Sequence, residues 1–93
     1  MLHIYRDSHY PSSDLERCLC QMGKEDVLLL IEDGVYLTQY LILALKKLAE
    51  QNQVFILIDD TDARGLHIKA PYQSADMAKW VSLSTEHDKS LTW

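Results

Sequence analysis

Two thiols and two pairs of carboxylates are the side chains of this sequence best placed to do chemistry. Cys18 and Cys20 are the strong nucleophiles of the 93 residues. They lie two residues apart on a predicted helix, so their side chains point about 200° apart around its axis. That separation forbids a local disulfide and a shared metal site, and no C-x-x-C redox pair is present. Cys18 falls on the core stripe of its helix, where a small buried hydrophobe is expected, with its thiol pKa raised. Cys20 points to the polar side, near Glu16, where a carboxylate disfavours the thiolate. The carboxylates are Glu32-Asp33 and Asp59-Asp60, each at the carboxyl end of a predicted strand. Pairs there could bind Mg²⁺ or act as acid and base. They also stand where helices begin, and capping is the ordinary job of an acidic residue at that position. No P-loop or G-x-G-x-x-G offers a phosphate cradle beside them.

His3, His9, His67 and His87 show no i, i+4 or short-loop spacing of a zinc site. The sequence therefore gives no reason to expect a metal or cofactor.

The elements that position these residues are legible as alternating apolar runs. Val27-Leu28-Leu29-Leu30-Ile31 is too short for a helix and reads as a strand buried on both faces. Leu2 to Tyr5 precedes it, and Val54 to Ile58 follows. Between the first two strands, Leu15, Cys18, Leu19 and Met22 form a helical stripe. Ser13 with Glu16 is expected to cap that helix, and Gly23 to end it. Leu37, Leu41, Ala44, Leu45 and Leu48 predict a second helix running to about Asn52. A short helical turn at Asp59–Asp62 is closed by Gly65. The stretch from His67 to Ser74 reads as irregular, a weak fourth strand falls near Ala75 to Met77, and Trp80, Val81 and Leu83 lie on a last helix. Strands alternating with helices imply right-handed βαβ units. The expected fold is a single domain over 1–93, a three-layer α/β sandwich of flavodoxin-like type. Its small parallel sheet has about four strands, with helices on both faces. The acidic turn after Ile31 then sits at the edge where such sheets bind ligands.

A net charge of −5 and no window rich in Lys or Arg argue against direct nucleic-acid binding. No run approaches the length of a membrane span, and the amino terminus lacks the layout of a signal peptide. A cytoplasmic protein with reduced thiols is expected. Its hydrophobic content of 47% is ordinary to high for a domain this small, which suggests apolar surface meant for another subunit. Tyr40 and Ile42 flank the stripe of the second helix and Leu43 lies opposite it. Trp93 closes the tail. These four are the expected interface residues.

Read together, several segments resemble the TusB/DsrH family of sulfur-relay subunits. They are Met1-Leu2-His3 with Ser8, Cys18-Leu19, Leu28-Leu29-Leu30-Ile31-Glu32-Asp33-Gly34-Val35-Tyr36, Asp62-Ala63-Arg64-Gly65-Leu66, Trp80-Val81-Ser82-Leu83 and Trp93. They fall in order along the whole chain. The resemblance implies a DsrE-like fold and assembly with TusC-like and TusD-like subunits in a heterohexamer. It implies transient contact with TusA-like and TusE-like carriers, and passage of persulfide sulfur toward 2-thiolation of the tRNA wobble uridine. The principal sulfur-carrying cysteine belongs to the TusD-type subunit. DsrH-type members carry a cysteine at the position of Cys18, which makes it the candidate persulfide carrier here, whereas TusB-type members can lack it. The residues themselves leave two other readings open: a self-sufficient thiol enzyme using Cys18, and a metal- or phosphate-binding module built on the acidic rim.

Overall fold

A computed structural model describes residues 1–93, all in one sheet-centred unit. The strands are β1 (Leu2–Tyr5), β2 (Val27–Leu30), β3 (Val54–Leu57), β4 (Gln73–Ala75) and β5 (Ser90–Thr92). They lie in the order β4-β3-β2-β1-β5, and every pairing is parallel. The helices are α1 (Ser13–Gln21), α2 (Leu43–Glu50), α3 (Ile58–Ala63) and α4 (Met77–Glu86), and a 3₁₀ segment spans Glu32–Gln39.

Alternation along the strands divides the core. Tyr5, Leu28, Leu30, Val54 and Ile56 face α1, the 3₁₀ segment and α2, through Leu15, Cys18, Val35, Leu37, Leu45 and Ala49. Leu2, Ile4, Leu29, Phe55 and Leu57 face the other way, toward Leu83 of α4 with Trp80 beside it. Handedness explains this division. The connections from β1 to β2 and from β2 to β3 step one way across the sheet, so right-handed crossovers put their helices on one face. The chain then returns from β4 to β5 in the opposite direction, which sends α4 to the other face.

The sheet has five strands where about four were expected. The tail is not free: Ser90–Thr92 pairs with β1, and the Trp93 amide donates to the Ile4 carbonyl. The fourth strand ends at Ala75, two residues before the expected limit. Ser12, one residue before the expected cap, accepts from the Leu15 amide, so Glu16 is not paired with it in a capping box. α1 stops at Gln21, ahead of Gly23.

The expected second helix is in fact two pieces. Eight residues of 3₁₀ conformation are followed by a break at Tyr40–Ile42 before α2 begins. The 3₁₀ turn is tighter than the α turn, so the phase of the apolar stripe is lost across the break. Leu41 is thereby turned outward, 75% exposed, and Ile42 inward, 6% exposed. Ile42 is therefore a residue of the chain's own core and offers no surface to a partner.

Gly34 opens the 3₁₀ segment at the carboxyl end of β2. Its φ is not in the left-handed region. The requirement there is space: a Cβ at this position would collide with the backbone carbonyl of Tyr5.

Candidate functional site: the thiols and the carboxyl edge of the sheet

Cys18 sits on the inner face of α1, wholly inaccessible, within the larger core cluster. Burial pushes its thiol up to about 12. Low-dielectric surroundings disfavour the thiolate, and no positive charge offsets them. Cys20 is exposed one half-turn away, and the last turn of α1 holds no basic residue. The structure thus keeps the two thiols apart and leaves the buried one without an activating partner.

The acidic residues at the carboxyl edge are already engaged. Arg64, at the end of α3, donates through Nε and Nη2 to Asp33 Oδ1 at 3.1 and 3.0 Å. Its Nη1 donates to the Asp60 carbonyl at 3.1 Å and lies 3.7 Å from the Asp60 carboxylate. The guanidinium carbon stands 5.9 Å from the centre of the Tyr36 ring. Asp60 in turn accepts from the Glu32 amide at 2.6 Å, beside a Glu32 backbone held at φ 50°. One arginine thus joins the turn after β2 to the helix after β3, and its charge offsets that of the two carboxylates it touches. Asp59 takes no part in this arrangement.

The strand order reverses beside β1, and a crevice outside its carboxyl end is where open α/β sheets bind ligands. The crevice here measures about 280 Å³ and is lined by Tyr5, Arg6, Asp7, Asp14, Glu32 and Trp93. Its acidic groups do not converge into a ligand set, since no three His, Cys, Asp or Glu side chains come together anywhere in the fold. Tyr5 is buried and shares a 3.1 Å hydrogen bond with Ser12. Burial is the largest cause raising its hydroxyl pKa.

Of the expected interface residues, Tyr40 and Leu43 are exposed, at 46% and 72%. Tyr40 stacks at a tilt on Tyr10, with ring centres 5.3 Å apart. Trp93 is half-buried against the core. Its indole N–H donates to Nδ1 of His3 at 3.3 Å. Indole is only a donor, so Nδ1 must be the accepting nitrogen and Nε2 carries the proton. Nε2 lies 3.3 Å from Asp26 Oδ2.

The sequence reading singled out neither the His3–Asp26–Trp93 chain nor the role of Arg64. Arg64 had a signal, a cation four residues after Asp60, at the spacing of an i, i+4 pair. The His3 chain had none, because pairing of β1 with β2 brings His3 to Asp26 and the closing strand brings in Trp93. His9 and His87 stand apart from these clusters.

A family model described as DsrH like protein matches residues 7–90. No curated protein matches the chain. Among solved structures, the ychN protein from E. coli superposes with a TM-score of 0.77 at 20% sequence identity. The match covers 99% of this chain and 97% of that one. At that identity the likeness establishes a shared fold.

Proposed function

Because the chain belongs to the DsrH-like family, we propose that it is a sulfur-relay subunit whose part is structural or accessory. In this reading it assembles with TusC-like and TusD-like subunits in a cytoplasmic heterohexamer. The complex takes persulfide sulfur from a TusA-like donor and hands it to a TusE-like acceptor, for 2-thiolation of the tRNA wobble uridine.

The observation that carries the accessory role is the burial of Cys18. In a sulfur transfer the acceptor thiolate attacks the outer sulfur of a persulfide. A new S–S bond forms, the old one breaks, and the donor leaves as a thiolate, with no net oxidation. The acceptor must be ionised and reachable. Cys18 is neither: with its pKa near 12, roughly one molecule in 10⁵ is a thiolate at pH 7. The same burial argues against a self-sufficient thiol enzyme. The Arg64 bridge argues against a cation site on the acidic rim, because it already supplies the positive charge.

The test is sulfur loading of the assembled complex followed by mass mapping of persulfides. Cys18→Ser should leave assembly intact and lower transfer by less than about twofold, with no stoichiometric label on Cys18. Stoichiometric label there, with transfer abolished in the variant, would make Cys18 a carrier and end the accessory reading.

A further inference from the structure

We propose that the cleft between the Tyr40 turn and the loop before β4 binds a small organic phosphate monoester. The cleft holds about 270 Å³. Its charged walls are Lys46 from α2 and Lys69 from the loop, with His67 beside them. Thr38 adds a hydroxyl, and the rings of Tyr40 and Tyr72 add flat apolar surface.

Charge selects the class of ligand. The chain has 14 Asp and Glu against 9 Lys and Arg, yet no acidic residue lines this cleft. Neither lysine enters an ion pair, as holds for every lysine of the chain; these two are the ones that line the cleft. Two unpaired lysines lining one opening favour a dianion over a monoanion or a neutral ligand. Size and lining select further. The volume is just below the roughly 300 Å³ at which small-molecule sites begin, and it is about nine times the share of one water. A bare oxyanion would leave most of it unfilled, including the tyrosine walls. A phosphate carried on a flat ring fills both parts. This inference does not rest on the sulfur-relay reading and survives its failure; because Tyr40 belongs to both the cleft and the expected interface, the test uses the chain without partners.

The test is an amide chemical-shift titration of the full chain with phenyl phosphate, and with inorganic phosphate in parallel. Phenyl phosphate should shift the amides of Thr38–Ile42 and His67–Tyr72 saturably, and bind at least about threefold tighter than inorganic phosphate. Lys46→Ala combined with Lys69→Ala should weaken it about tenfold. Lys47→Ala, one residue outside the cleft, should leave it unchanged. Both lysines are exposed, so the double variant should keep its fold. Equal affinity for inorganic phosphate would overturn the organic monoester in favour of a bare ion. Absence of a saturable shift, or full binding by the double variant, would overturn the site.

Discussion

The two ends of the sheet are both polar, and they use their polar groups differently. At the amino end, Asp26 accepts from the Met1 ammonium at 2.8 Å, from the Gly23 amide at 3.0 Å and from His3. Gln53, 7% exposed, sends its side-chain nitrogen to the carbonyls of Gly23 and Asp26 at 2.7 and 2.8 Å. The partners are the chain itself: His3 and Gln53 are buried, Asp26 is partly buried, and the Met1 end of the network is exposed. At the carboxyl end, Asp33 remains 61% exposed despite its arginine. The segment that follows presents Tyr40, Leu41 and Leu43 to solvent. Polar groups that are buried and fully occupied can only hold a fold together. Polar and apolar groups left at the surface remain available to a ligand or a partner. The contrast places the structural chemistry at one end and the exposed side chains, where the proposed recognition falls, at the other.

The sharpest challenge to that division is Gly34, a carboxyl-end residue with a structural duty. Gly34→Val drives a branched side chain into the Tyr5 carbonyl, and β1 and the turn after β2 cannot separate without breaking their pairing. The expected loss is about 2–4 kcal/mol, read as a lower denaturation midpoint. A midpoint unchanged from wild type would show that the turn can move aside. Asp26→Asn probes the amino end and should cost about 1–2 kcal/mol at neutral pH. Its carboxylate is held near 2, first by the Met1 ammonium and then by the Gly23 amide. A folded-state pKa below the ordinary 3.8 means that ionised Asp26 stabilises the fold fully above about pH 4. That contribution is lost as the pH falls from there through 2. Wild type should therefore lose stability across this window by more than the asparagine variant does. Parallel acid-unfolding curves would contradict the assignment.

The sequence disclosed the interior of this fold better than its margins, for a physical reason. β2 and β3 are continuous branched apolar runs because both faces are buried, and burial leaves a compositional trace. Cys18 was legible as a core residue on the same ground. β5 left no such trace: Ser90, Leu91 and Thr92 are all exposed, and what makes them a strand is the free edge of β1. The break at Tyr40–Ile42 was hidden because Leu37, Leu41, Ala44, Leu45 and Leu48 also satisfy an unbroken helix. Only the tertiary fit of Ile42 decides otherwise. At the candidate site the acidic pairs were visible, while their arginine and the His3–Trp93 bond depend on contacts between distant positions.

Arg64→Ala should have a smaller effect than either change above, about 1 kcal/mol. It removes hydrogen bonds to an exposed carboxylate and to one carbonyl. A loss as large as that of Gly34→Val would mean that the carboxyl edge is as tightly locked as the amino edge.

The smallest effect on the isolated chain, and the one that bears most on assembly, is expected at Leu43. It begins α2 at the carboxyl side of the sheet, 72% exposed. Tyr40 lies near it on one side of the break, and Ile42, turned into the core, fixes the direction in which Leu43 projects. A carboxylate at the first turn of a helix is tolerated and favours the dipole. Leu43→Glu should therefore change the stability of the isolated chain by less than about 0.5 kcal/mol. Within an assembly the same carboxylate would be desolvated without a partner, at a cost of roughly 2 kcal/mol or more, about thirtyfold in affinity. Circular dichroism melting of the isolated chain and size-exclusion with TusC-like and TusD-like subunits separate the two effects. Full assembly by the variant would move the interface elsewhere, to Trp93 or to the exposed Met77 and Val81 of α4. Unfolding of the isolated variant would instead show that Leu43 supports its own fold, and that the carboxyl end is less free than its exposure implies.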